Sequence, residues 1–143
     1  MEIETMGKIP VVANIENLMD LYELERGSLP DAEVRRVVVD ALVDSERAIL
    51  SMPKGLIQQL GLHLVGIRRA RTVDGPITVQ IYGTVRLTIQ GHDGSMDVAE
   101  LPDDGPVLIG RIPLHALDLV VDSQNRCLIG NPEHSGVQML EMY

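Results

Sequence analysis

With 143 residues the chain suits a single domain, 1–143, and its net charge of −9 argues against nucleic acid and anionic membrane surfaces, because phosphate contacts need clustered Lys and Arg. The absence of Trp and Phe leaves the core to Val, Leu, Ile and Met, a composition that favours sheet. No stretch approaches the roughly 20 apolar residues that span a bilayer, no apolar signal region opens the chain, and the single cysteine suits a reducing compartment, so a cytoplasmic protein is expected.

In chain order, Met1 to Lys8 reads as a loose lead-in, and Ile9 to Ile15 as a strand in which Pro10 suits an edge. Leu18, Leu21 and Leu24 have helical spacing, which Gly27-Ser-Leu-Pro30 brings to an end. From Arg35 the sequence alternates. Val37, Val39, Ala41 and Val43 share one face of an extended segment, and Val38, Asp40, Leu42 and Asp44 share the other, the pattern of a half-buried strand. That strand ends on Asp44-Ser45, and a second apolar run, Ala48-Ile49-Leu50, begins a further strand almost at once. Asp44-Ser45 carries two readings: a plain turn, which both residues favour, or a connection that holds an acid. Pro53 then opens a short helix with Leu56, Ile57 and Leu60 on one face and Gly61 as its terminator.

His63 to Val73 and Ile77 to Ile89 are extended runs joined by the turn signal Val73-Asp74-Gly75-Pro76, which predicts a hairpin. The only basic cluster, Arg68, Arg69 and Arg71, alternates between strand faces and reads as a solvated edge. Gly83 interrupts the stripe Val79, Ile81, Val85, Leu87, Ile89, marking a bend or a close backbone approach. Gly91-His-Asp-Gly94 is a turn before a returning strand with Met96, Val98 and Leu101, and Pro102 to Pro106 is a polar loop. Pro106-Val-Leu-Ile-Gly110 reads as a strand, Ile112 to Leu117 as a helix and Leu119 to Val121 as a strand. Cys127-Leu-Ile129 is a last short strand with Cys127 as a buried structural thiol, and an irregular tail follows from Asn131. The units around 44–60 and 106–117 look like rough copies, an apolar strand leading through a loop into a short helix, hence a pseudo-twofold within the chain.

Ala41-Leu-Val-Asp-Ser45, Leu50-Ser-Met-Pro53, Leu60-Gly-Leu62 and Leu108-Ile-Gly110 together resemble the retropepsin-like aspartic proteases, and among them the short bacterial members. The resemblance extends over Asn14-Ile-Glu-Asn17 to Asp20, Tyr82-Gly83 to Ile89, and Leu119-Val-Val-Asp122 to Asn131-Pro-Glu-His134. It implies a mainly-β fold, a closed or partly open barrel with one or two short helices. It also implies a hydrolase, an aspartic endopeptidase, in which the catalytic Asp of an Asp-Thr/Ser-Gly triplet falls on Asp44, with Ser45 beside it. On the same resemblance the hairpin residues Val73, Asp74, Gly75 and Pro76 fold over the substrate as a flap, and Gly110 holds the corresponding loop of the second copy. A solvated hairpin with no ligand role is the other reading of that turn.

The chemistry implied is proteolysis by two carboxylates that share one proton. The chain supplies only one such signature, so the resemblance requires a homodimer with Asp44 from each copy on a twofold axis. The expected partners are thus a second copy and an extended peptide or protein substrate, with no cofactor and no metal. His63, His92, His115 and His134 lack zinc-site spacing, and there is no glycine-rich phosphate loop.

The triplet departs from the family. Glu46 stands where the family has glycine, and Arg47 where it has a small residue. Glu46 pointing inward would crowd four carboxylates on one axis, at roughly 4 kcal/mol per pair for about 4 Å and an effective dielectric near 20. Arg47 paired with Asp44 would favour the ionised acid; Arg47 paired with Glu46 in solvent would leave Asp44 untouched. The alternative function is therefore a pseudo-enzyme that binds peptide or serves in assembly without cleavage. The apolar tail residues Val137, Met139, Leu140 and Met142 have two uses open to them, a dimer interface or packing on their own subunit.

Overall fold

A computed structural model describes residues 8–102 and 104–142, so the expected lead-in lies outside the described residues apart from Lys8. The strands are β1 (Lys8–Asn17), β2 (Arg36–Asp44), β3 (Ser51–Pro53), β4 (His63–Thr72), β5 (Gly75–Ile89), β6 (His92–Leu101), β7 (Val107–Ile109), β8 (Leu119–Asp122) and β9 (Cys127–Gly130). The helices are short: α1 (Leu18–Glu25), α2 (Lys54–Gln59) and α3 (Arg111–Leu117).

Six strands follow one another as β1-β2-β7-β3-β6-β5, and β5 pairs again with β1, so the sheet closes into a barrel with β4 attached outside it on β5. The mainly-β barrel expected from the sequence as closed or partly open is observed closed, with three short α-helices where one or two were expected. Alternation decides the inside. Ile9, Ala13 and Ile15 of β1 and Val37, Ala41 and Val43 of β2 are buried. They meet Leu50, Met52, Ile57, Leu60, Leu87, Ile109 and Leu117 in one aliphatic core. Each such side chain withdrawn from water contributes on the order of 2 kcal/mol. Pro10 is exposed and pairs with Leu42 in the half of β1 that, among the described residues, has β2 alone as ladder partner, the edge expected of it.

The internal twofold is visible in the ladder. β2 runs parallel to β7, β3 runs parallel to β6, and β3 and β7 cross antiparallel at Ser51 and Leu108. Exchanging β2 with β6 and β7 with β3 maps these four strands onto themselves, and each short strand leads directly into a short helix, β3 into α2 and β7 into α3, so Gly110 at the end of β7 answers to the β3–α2 junction and not to the Asp44 loop as expected.

Two boundaries and one burial differ from the sequence reading. The strand expected from Ala48 begins at Ser51. The carbonyls of Arg47 and Ala48 are taken by the amides of Arg111 (3.0 Å) and Ile112 (2.9 Å), so this backbone is bonded to the start of α3 and not to a ladder. The turn expected at 91–94 is instead the pair Gln90-Gly91, both at positive φ (53° and 81°), the conformation of a type I′ hairpin turn, and β6 starts at His92. Cys127 is half-buried and not sequestered, because it sits opposite Asp122 at the open end of the two-stranded β8–β9 sheet.

Gly83 lies where β5 passes from the hairpin into the barrel, at a register shift between Tyr82 and Val85. A Cβ there would collide with Asp97 Oδ1 and press on Val65, so the close approach inferred from the broken stripe is real. Arg68, Arg69 and Arg71 lie on β4, which among the described residues pairs with β5 alone, the edge expected of them.

The tail packs on its own subunit. Asp118, which ends α3 in the left-handed conformation (φ 57°), accepts from Asn131 Nδ2 (3.1 Å) and from the Met139 amide (3.0 Å), and its Oδ2 lies 2.6 Å from His134 Nδ1. The Gln138 carboxamide pairs with both the amide and the carbonyl of Asp93 (2.9 and 2.7 Å), as a neighbouring strand would. His92, buried, sets its ring nitrogens 2.7 Å from the Leu117 carbonyl and 3.1 Å from that of Gly136. Val137, Met139, Leu140 and Met142 nonetheless remain exposed.

Candidate active site

Asp44 is the last residue of β2, delivered to the barrel mouth by the alternation that buries Val43. Its Oδ1 accepts the Glu46 amide (3.1 Å) and its carbonyl accepts the Arg47 amide (3.1 Å), which curls the chain back over the carboxylate. Arg47 Nε lies 3.6 Å from Asp44 Oδ2, an ion pair without a direct hydrogen bond. Of the arrangements open to the altered triplet, Arg47 therefore turns to Asp44 and not to Glu46. Ser45 and Glu46 are exposed, and the Ser45 carbonyl accepts from Arg111 Nη1 at 2.8 Å.

Gly110 shapes this loop from behind. A Cβ on it would fall 2.6 Å from Ala48 C, 2.7 Å from the Arg47 oxygen and 2.7 Å from the Ile49 nitrogen. Its backbone is extended (φ −89°), so the requirement is for space and not for an unusual dihedral. The first turn of α3 and the 45–49 loop are thus held together by two amide bonds and one guanidinium bond.

Across from the loop stands the β4–β5 hairpin. Between them lies a groove of about 790 Å³, with Asp44, Glu46, Arg47, Ile49 and Ser51 on one wall, Ala70, Arg71, Thr72, Val73, Ile77 and Val79 on the other, and Ala99 and Arg111 completing it. Thr72 stiffens the hairpin end: its hydroxyl donates to the Gly75 carbonyl (2.7 Å) and accepts the Asp74 amide (3.1 Å). Of the four turn residues, Val73 lines the groove and is fully exposed. Asp74, Gly75 (φ 107°) and Pro76 form the tip beyond it. Asp44, Glu46, Arg47 and Val73 therefore share one groove, while Gly110 supports it from outside.

Sequence reasoning missed Arg71 and Arg111 as parts of this site. In the sequence Arg71 reads only as edge charge. Its pairing opposite Pro76 near the hairpin end brings it to the groove. Arg111 follows directly after the Gly110 already singled out, and that adjacency was the available signal.

Away from the groove, Asp20 is buried and receives the Arg35 amide (2.9 Å), Arg35 Nε (2.8 Å) and Arg35 Nη2 (2.9 Å). These bonds hold its carboxyl below the usual range against the opposing effect of burial. At the tail, the His134 hydrogen bond lowers the Asp118 carboxyl, and Asp118 followed by Glu141 raises the His134 imidazole. Among the described residues no group of three or more His, Cys, Asp or Glu side chains is placed to hold a metal, and no helix is long and apolar enough to cross a membrane.

Neither a protein-family model nor a curated protein matches the sequence. Among solved structures the chain is similar to the simian foamy virus (mac) protease, known from a solution structure, with a TM-score of 0.47 and 17% sequence identity over 74% of this chain and 91% of that one.

Proposed function

We propose that the protein is a retropepsin-like aspartic peptidase homologue that takes an extended peptide into the groove between the Asp44 loop and the β4–β5 hairpin. The observation that supports this most is the shared groove itself. A carboxylate at the end of a barrel strand faces a hairpin whose Val73 stands free above it. A peptide laid there can pair with exposed backbone as an added strand while its side chains enter the groove.

Cleavage on this reading needs a second copy. One Asp44 would activate a water as base while Asp44 of the partner subunit, protonated, donates to the scissile carbonyl, and repulsion between the two carboxylates keeps a single proton between them. The meeting of two chains would draw on exposed apolar side chains at the start of α3 and on the tail, Ile112, Val137, Met139, Leu140 and Met142.

A second reading has its own observation. Arg47 stands 3.6 Å from Asp44 Oδ2, a cationic neighbour that the two-carboxylate mechanism has no use for, as suits a peptide-binding or assembly module that does not cut. One experiment separates the two. Mixed peptides are incubated with the native chain, with Asp44→Asn and with the double change Glu46→Gly, Arg47→Ala, and oligomeric state is followed by sedimentation. Cleavage by a dimer that Asp44→Asn abolishes supports the peptidase. Cleavage gained only in the double variant supports the binding module. Cleavage that survives Asp44→Asn removes the dyad altogether.

A further inference from the structure

The groove has a charge of its own. The chain as a whole carries −9, yet the groove walls hold three arginines, Arg47, Arg71 and Arg111, against two carboxylates, Asp44 and Glu46. The arginines are not equally committed. Arg47 stands beside Asp44 at 3.6 Å, and Arg111 spends one donor on the Ser45 carbonyl. The Arg71 guanidinium makes no hydrogen bond or ion pair with any described residue, and it is exposed on the hairpin wall. A guanidinium has five donors in a planar fork that matches a carboxylate, and Arg71 and most of Arg111 remain open to solvent on the groove.

Resting on the groove assignment above, we infer that the groove selects extended peptides bearing acidic side chains, whose carboxylates meet Arg71 and Arg111. A basic peptide would leave these two arginines facing like charge. A neutral one would leave them hydrated, at no gain. A polyphosphate chain fits less well, because Asp44 and Glu46 stand in the same groove and repel a backbone charged at every residue.

The test reads binding and not cleavage, so it is independent of whether the dyad works. Native full-length protein is titrated into three fluorescein-labelled peptides of one apolar framework carrying Glu, Gln or Lys at alternate positions, and into a single-stranded oligonucleotide of the same length, with anisotropy as readout and mass spectrometry to confirm that the peptides stay intact. The Glu peptide is expected to bind tightest. Its advantage over the Gln peptide should shrink between about 20 mM and about 200 mM salt as the Debye length falls. Arg71→Gln should reduce that advantage by up to about fivefold, the scale of one exposed ion pair, and Arg71→Lys should restore part of it. Equal binding of all three peptides, or preference for the Lys peptide, overturns the acidic preference and leaves the groove assignment standing. Binding of none overturns both. Oligonucleotide binding as tight as that of the Glu peptide overturns the peptide as the occupant.

Discussion

Gly110→Ala isolates the steric demand behind the candidate site. The position has an ordinary extended φ of −89°, so alanine carries no dihedral penalty, and what it adds is one methyl. That methyl would meet three backbone atoms at 2.6–2.7 Å, well inside the 3.4 Å at which ordinary contact begins, and none of them belongs to a flexible side chain that could swing away. The 45–49 loop and the start of α3 must move apart. Overpacking of this kind costs about 1–3 kcal/mol, and loss of either amide bond, from Arg111 to the Arg47 carbonyl or from Ile112 to that of Ala48, adds about 1 kcal/mol. The expected loss is about 2–4 kcal/mol, or roughly 6–13 °C in Tm for a domain of this size. Denaturant unfolding measures it, with Gly55→Ala as control. That glycine lies inside α2 with nothing within 4 Å of its absent Cβ, so alanine there should stabilise by up to about 1 kcal/mol. If Gly110→Ala matches the native chain within a few tenths of a kcal/mol, the loop is not wedged against α3 as described, and the bracing of Asp44 from behind is wrong.

Other consequences are open to measurement. Arg35→Ala leaves the buried Asp20 carboxylate without its two guanidinium bonds and should cost about 1–2 kcal/mol at pH 7, read by urea unfolding. Because the folded Asp20 value lies below its unfolded value, this stability is present above the unfolded carboxylate range and is lost as pH falls through the folded one. Asp20→Asn should therefore flatten the acid limb of the stability curve, and an unchanged limb would refute the pairing. His134 behaves in the opposite sense. Its raised value means that its contribution is complete below the unfolded histidine range and lost as pH rises through the folded value, while that of Asp118 is lost towards acid. The protection factor of the Met139 amide, which donates to Asp118, should thus be highest between those two titrations and become flat towards alkaline pH in His134→Gln. Gly83→Val should disrupt the passage of β5 from hairpin to barrel by displacing Asp97 from Thr84, whose hydroxyl donates to it at 2.9 Å, and a Tm equal to that of the native chain would contradict this.

The sequence alone was enough for whatever is encoded locally. Period-two alternation from Val37 to Asp44 placed one face of β2 inside and put Asp44 at its end. Val73-Asp-Gly-Pro76 announced the hairpin, and the two strand–loop–helix units announced the internal twofold. Gly83 and Gly110 could be marked as unusual because a missing side chain is itself visible. What pressed against them could not. The tertiary structure alone decided that Arg47 turns to Asp44 and not to Glu46, that the Ala48 run is held by α3 amides and not by a ladder, and that the tail closes on its own barrel through Asp118, His134 and Gln138. Apart from that of Arg47, whose partner is only three residues away, these are choices among partners distant in the chain, as in the 66 residues between Arg111 and Ser45. Alternation and turn chemistry act over a few residues, whereas the pairing of a guanidinium or an amide depends on which distant groups the closed barrel brings within about 3 Å.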